Sequence, residues 1–139
     1  MISRKIMVKA TPLECFKVIS DFKNYPKFLE DIKKIKISKP KGKVCDVTYT
    51  LSFIREVTYT LRTTVDDKKL DISWEFVEGD YMRDNHGFWE FKEIRKGETQ
   101  VTYHIDIQFG FLVPGFVSKM LAEQQLPKML KALKERIER

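Results

Sequence analysis

The strongest constraint on this chain is a period of two that runs, with short interruptions, from residue 45 to residue 109. Cys45, Val47, Tyr49, Leu51 and Phe53 share one parity, while Asp46, Thr48, Thr50 and Ser52 take the other. The pattern repeats with Val57, Tyr59, Leu61, Thr63 and Val65, and again with Leu70, Ile72, Trp74 and Phe76. It returns in Gly87, Trp89 and Phe91, and last in Val101, Tyr103, Ile105, Ile107 and Phe109. Successive side chains of a strand point to opposite faces, so each segment predicts a strand with one apolar side. Asp66-Asp67-Lys68, Gly79-Asp80 and Lys96-Gly97 supply the turn chemistry between them. Short turns join antiparallel neighbours, and the expectation is a meander with one covered and one wet face.

What covers the sheet must come from the ends of the chain. Ile6 and Val8 mark a first strand, with Ile2 and Arg4 on the same parity. Thr11, Pro12 and Glu14 then form a helix start with a capping box, and the helix is expected to reach about Asp21 and to bury Leu13, Phe16 and Ile19. A second short helix is expected over NYPKFLEDI, with Asn24 as its cap, followed by a strand at Ile35 and Ile37. From Pro114 onward an apolar stripe at helical spacing includes Phe116, Val117, Met120, Leu121, Leu126, Leu130 and Leu133. A helix of roughly 24 residues is ~36 Å long and crosses a whole sheet. Pro127 should kink or divide it. The order is β-α-α-β-β-β-β-β-β-α, an α+β domain spanning residues 1–139 with a long helix lying across a curved antiparallel sheet.

The chain has 139 residues, 42% of them hydrophobic and 33% charged, which suits a folded domain and excludes a disordered one. No apolar run approaches the ~18–20 residues that span a bilayer. The N-terminus alternates where a secretion signal would be continuously apolar. Cys15 and Cys45 stand far apart without metal-ligand spacing, so they are read as reduced cysteines of a cytoplasmic protein, and no metal is expected. No phosphate-binding loop is present, and no cofactor is expected. The net charge of +6 suits an acidic partner. Lys33, Lys34, Lys36, Lys39 and Lys41 crowd one strand, either as protection of a sheet edge or as a contact for an anionic membrane surface or a ribosome. No aromatic residues interleave with them, so DNA is not expected.

VISDFKNYPKFLEDI (18–32), GFWEF (87–91), VTYHIDIQF (101–109) and the Pro-Gly entry to a helix containing LPKMLKALKERIE (126–138) carry a likeness over nearly the full chain. Together they resemble the helix-grip superfamily of START domains and the birch-pollen allergen. Within it, the chain resembles the bacterial polyketide cyclase/dehydrase and coenzyme-Q-binding-protein group. The resemblance implies a hydrophobic cavity between sheet and C-terminal helix that accepts a lipid, quinone, isoprenoid or polyketide-like molecule.

The inward aromatic residues suit either a filled core or the wall of a pocket. Tyr49, Tyr59 and Tyr103 favour the pocket, because a phenol on an apolar face needs a hydrogen-bond partner. The expected lining from the sheet is Tyr49, Phe53, Tyr59, Leu61, Trp74 and Phe76, with Trp89, Phe91, Tyr103, Ile105 and Phe109. From the helix, Phe116, Met120 and Gln124 complete it. Aromatics would supply apolar contact, while Gln124 and the tyrosines would hold a polar head. No catalytic residue is assigned. Asp84 and His86 could form a dyad near the mouth, as an aromatase/cyclase or dehydrase would require, and His104 falls on the outward parity. A third reading is a ribosome-associating module of the kind seen among toxin-like relatives. In FGFLVPGFVSKML (109–121), Val113 would cap the helix without a side-chain acceptor. A loose helix start is therefore expected, with Phe111, Leu112 and Phe116 as a gate.

Overall fold

Every segment with period-two alternation is a strand in the computed structural model, which describes residues 1–139. The strands are β1 (Ile2–Val8), β2 (Ile32–Lys41), β3 (Val44–Phe53), β4 (Arg55–Asp66), β5 (Asp71–Gly79), β6 (Met82–Arg95) and β7 (Glu98–Phe109). They form one 7-stranded antiparallel sheet in the order β1-β7-β6-β5-β4-β3-β2. Only β1 departs from sequence order, pairing with β7 so that Ile6 lies opposite Val101. β2 is the far edge, and its exposed lysines Lys33, Lys34, Lys36, Lys39 and Lys41 discourage pairing with another chain. With the C-terminal helices across its inner face, this is the helix-grip α+β fold.

The first helix, α1 (Pro12–Ile19), starts as expected: the Thr11 hydroxyl accepts from the Glu14 N–H, and the Glu14 carboxylate accepts from the Thr11 N–H. It is shorter than the sequence suggests, and Leu13 is 46% exposed while Cys15, Phe16 and Ile19 are buried. The second helix is corrected to a single 3₁₀ segment, Phe22–Lys27. Asn24 lies inside it and donates to the Asp21 carboxylate instead of capping it. Phe22, Tyr25 and Leu29 are buried, and the Tyr25 hydroxyl donates to the Ile19 carbonyl, tying this segment to the end of α1.

The long C-terminal helix is in three pieces: α2 (Phe116–Met120), a π turn (Leu121–Gln125) and α3 (Leu126–Ile137). Pro127 is the cause. It has no N–H to give and its ring crowds the preceding turn, so the backbone widens ahead of it. The Leu126 N–H reaches the Leu121 carbonyl, five residues back. The Ala122 carbonyl would next look to residue 127, which is proline. Arg4 fills the gap, its Nε donating to the Ala122 oxygen at 3.1 Å from β1. The helix entry also differs from expectation. Gly115, not Val113, is the capping residue, Pro114 stands outside the helix, and no side chain caps the free N–H groups.

Candidate functional site

Sheet and helix do not close on each other along their whole length. Near α1 they enclose a dry core that includes Val8, Cys15, Ile19, Val101 and Leu133, each at most 2% exposed. Away from α1 they enclose a cavity of about 720 Å³ that opens to solvent. Its volume falls in the range of small-molecule sites, and 29 of its 40 lining residues are hydrophobic.

The curved sheet forms most of the wall. Tyr49 and Tyr59 face each other across β3 and β4 and stack with ring centroids 5.1 Å apart. Tyr103 on β7 stacks on Trp74 at 5.3 Å and meets Trp89 at 4.5 Å. The flat floor they make depends on Gly87, which lies between Trp74 and β7. A Cβ there would overlap the His104 carbonyl oxygen and sit 2.7 Å from Trp74 Cζ2. Burial raises the Tyr49, Tyr59 and Tyr103 phenols above the ordinary tyrosine range, and neighbouring tyrosines add to it for Tyr49 and Tyr103. Their surfaces stay partly accessible because they face the cavity, not because they reach the exterior. None of the three hydroxyls bonds to protein, yet no polar side-chain atom is sealed away without a partner. These hydroxyls are therefore open to the cavity.

Ten of the fourteen expected lining residues do line it: Tyr49, Phe53, Tyr59, Leu61, Trp74, Trp89, Tyr103, Ile105, Phe109 and Phe116. Four do not. Phe91 belongs to the closed end, edge-on to Phe16 of α1 at 6.2 Å. Phe76 keeps the inward parity and lies opposite Leu61, but it packs partly buried against the core and not on the cavity wall. Gln124 misses because it lies in the π turn, which inserts the equivalent of one extra residue, and Met120, in α2 ahead of that turn, lies off the lining face. The lining face runs instead through Phe116, Val117, Leu121 and Gln125.

Asn85 was not singled out from the sequence. It is 3% exposed, lines the cavity, and accepts the Trp74 indole N–H at 2.9 Å. The signal was available, since Asn85 shares the parity of Gly87, Trp89 and Phe91. His86, one residue on, takes the outer face. It does hydrogen-bond Asp84 at 2.7 Å and pairs across the ladder with Asp106, but the cavity is on the other side of the sheet. His104 is also on the outer face, bonded to Ser3 and Glu90 and stacked on Phe88 at 4.4 Å. Neither histidine reaches the cavity.

The mouth is built from three loops. Gly110 N–H donates to the Tyr81 carbonyl at 2.8 Å, and Arg55 donates to the Tyr81 hydroxyl at 3.2 Å, which ties the three together. Two non-glycine residues here hold left-handed backbone, Ile54 at φ 70° and Tyr81 at φ 63°. That conformation costs an L-residue about 1 kcal/mol or more. Phe111 and Leu112 project from the third loop and Phe116 from the start of α2, at 84%, 77% and 57% exposure. On the opposite rim Lys128 of α3 spans to Glu30 and Asp31.

Known proteins bear out this architecture. The family model described as polyketide cyclase / dehydrase and lipid transport matches residues 8–134, and the chain belongs to that family. A START superfamily protein from Mycobacterium smegmatis superposes with a TM-score of 0.85 at 19% identity, covering 99% of this chain and 96% of that one. A protein from Thermus thermophilus gives 0.84 at 17% identity, covering 98% and 95%. The Zhui aromatase/cyclase from Streptomyces sp. R1128 gives 0.74 at 18% identity, covering 98% and 84%. At such identities the likeness is one of fold. No curated protein matches the chain in sequence.

Proposed function

Starting from that family membership, we propose that this protein binds a hydrophobic small molecule, of lipid, isoprenoid, quinone or polyketide type, between its sheet and its C-terminal helix, and carries or shelters it. The observation that carries this reading is the cavity itself. A 139-residue chain gains stability by burying apolar surface, yet this one leaves about 720 Å³ unfilled beside stacked aromatic rings. Packing a space of that size would have been straightforward with larger side chains. Its retention supports an occupant.

The apolar loop at the mouth supports an entry route. Phe111, Leu112 and Phe116 act as the gate, mobile because α2 has five residues, lacks a side-chain cap and runs into a π turn. Native mass spectrometry of the protein purified from cells tests the binding reading. The expected spectrum shows a non-covalent adduct of a few hundred daltons that organic solvent releases. A mass equal to the bare chain in every preparation, together with no fluorescence gain from the neutral dye Nile red, would remove it.

A further inference from the structure

The polarity of the cavity narrows what it will accept. Its wall mixes two populations of polar groups that are separated in space. Seven charged residues take part: Arg55, Lys128 and Lys131, and Glu30, Asp31, Asp80 and Glu135. All seven are at the rim. Six are exposed, and Asp31, the most covered, has a side chain 41% exposed and sits beside Lys128. Three cations against four acids leave the rim without a positive bias.

The interior holds only uncharged groups. The hydroxyls of Tyr49, Tyr59 and Tyr103 make no bond to protein, while that of Thr63 is spent on the Leu61 carbonyl at 3.3 Å. Asn85 gives its oxygen to Trp74, and its NH₂ meets just the Met82 sulfur at 3.9 Å, a weak acceptor. What remains is three phenols, the Asn85 NH₂ and the uncharged side-chain amide of Gln125, and no interior cation. The phenols lie close enough together that Tyr25, Tyr59 and Tyr103 each act on the ionisation of Tyr49. At neutral pH all of them are O–H donors and acceptors.

From this arrangement, and resting on the ligand-binding reading above, we propose that the end of the ligand that goes deepest is uncharged and oxygen-bearing: an alcohol, phenol, ketone or quinone in preference to a carboxylate or amine on the same skeleton. A neutral oxygen exchanges its water hydrogen bonds for bonds to the phenols and to Asn85. An isolated carboxylate or ammonium brought to the same depth loses its hydration shell and meets no opposite charge, at a cost of several kcal/mol. Neutral donors recover part of that for a carboxylate, and less for an ammonium.

A matched probe pair decides it. 1-Pyrenebutanol and 1-pyrenebutyrate share a skeleton and differ in charge at neutral pH, and binding of each is read by pyrene fluorescence against the intact chain. The alcohol is expected to bind at least tenfold more tightly at pH 7.5. The gap should close as the pH falls through the carboxyl pKa and the acid becomes neutral. Tyr103→Phe and Tyr49→Phe, each checked by circular dichroism for an intact fold, should weaken the alcohol severalfold. Equal affinities, or tighter binding of the butyrate, overturn the proposal while the ligand-binding reading stands. Failure of both pyrenes and of Nile red overturns the ligand-binding reading and this one with it.

Discussion

The same sheet and the same C-terminal helix enclose two very different spaces. At one end α1 wedges between them. Its Cys15 and Ile19 are fully buried, Leu133 of α3 is 2% exposed, and the Thr99 hydroxyl donates to the Ala10 carbonyl at 2.7 Å to close the joint. Burial there pushes the Cys15 thiol up to about 11, so it stays protonated and inert at neutral pH. At the other end no element fills the gap. The sheet curves around a cavity, and Phe111 is 84% exposed. An inward-facing aromatic residue is therefore core or wall according to whether a third element arrives to cover it. Phe91 and Tyr103 make the point: they lie on adjacent, paired strands, yet Phe91 meets α1 and Tyr103 meets the cavity.

The largest effects should come from opening the closed end. Leu133→Ala removes a side chain from a site that cannot collapse around the loss, because sheet, α1 and α3 fix it on all sides. A loss of about 3 kcal/mol is expected in urea denaturation. A loss under about 1 kcal/mol would mean that this end is as loosely filled as the other, and the contrast would fail.

That contrast is only half legible in the sequence. The strands are readable because alternation is set locally, by the pleat, and seven strands answer to it. So is the α1 start, since Thr11, Pro12 and Glu14 interact within one turn. The cavity is not readable from the alternation, because Trp74 and Trp89 show the same parity whether something packs on them or not, and the inward phenols of Tyr49, Tyr59 and Tyr103 only point toward it. It enters through the family resemblance. The helix-borne lining fails for a different reason. Gln124 follows from an α-helical period, and Pro127 is legible as a breaker, but its remedy, a π turn ahead of it, turns Gln125 to the cavity in its place. Asn85 escapes a search that favours reactive side chains, because such a search stops at His86, its neighbour on the outer face.

A smaller effect of opposite sign should come from the open end. Ile54 is 63% exposed and packs little, but its φ of 70° is unfavourable for a β-branched residue. Ile54→Gly relieves that strain and gives up part of the gain to the greater freedom of glycine in the unfolded chain. A net gain of roughly 0.5–1 kcal/mol is expected in the same denaturation experiment. A loss of more than about 1 kcal/mol would show that Ile54 packs as core and that the rim is not strained.

The smallest change in stability should accompany the clearest change in kinetics. Phe116→Ser alters a residue 57% exposed, at the start of a five-residue helix without a side-chain cap. Its effect on global stability should stay within about 0.5 kcal/mol, the range of ordinary surface substitutions. Ligand exchange is another matter, because the side chain stands at the mouth, where the cavity opens to solvent. Release of bound Nile red in a stopped-flow chase should become severalfold faster in the variant. Hydrogen exchange supplies the independent control. In the unliganded protein, amides of residues 115–119 should exchange orders of magnitude faster than those of 130–137, since local opening there breaks few bonds and exposes little new apolar surface. Strong protection over 115–119 would make the loop a fixed part of the wall. Faster dye release would then have to come from a wider static opening and not from a gate.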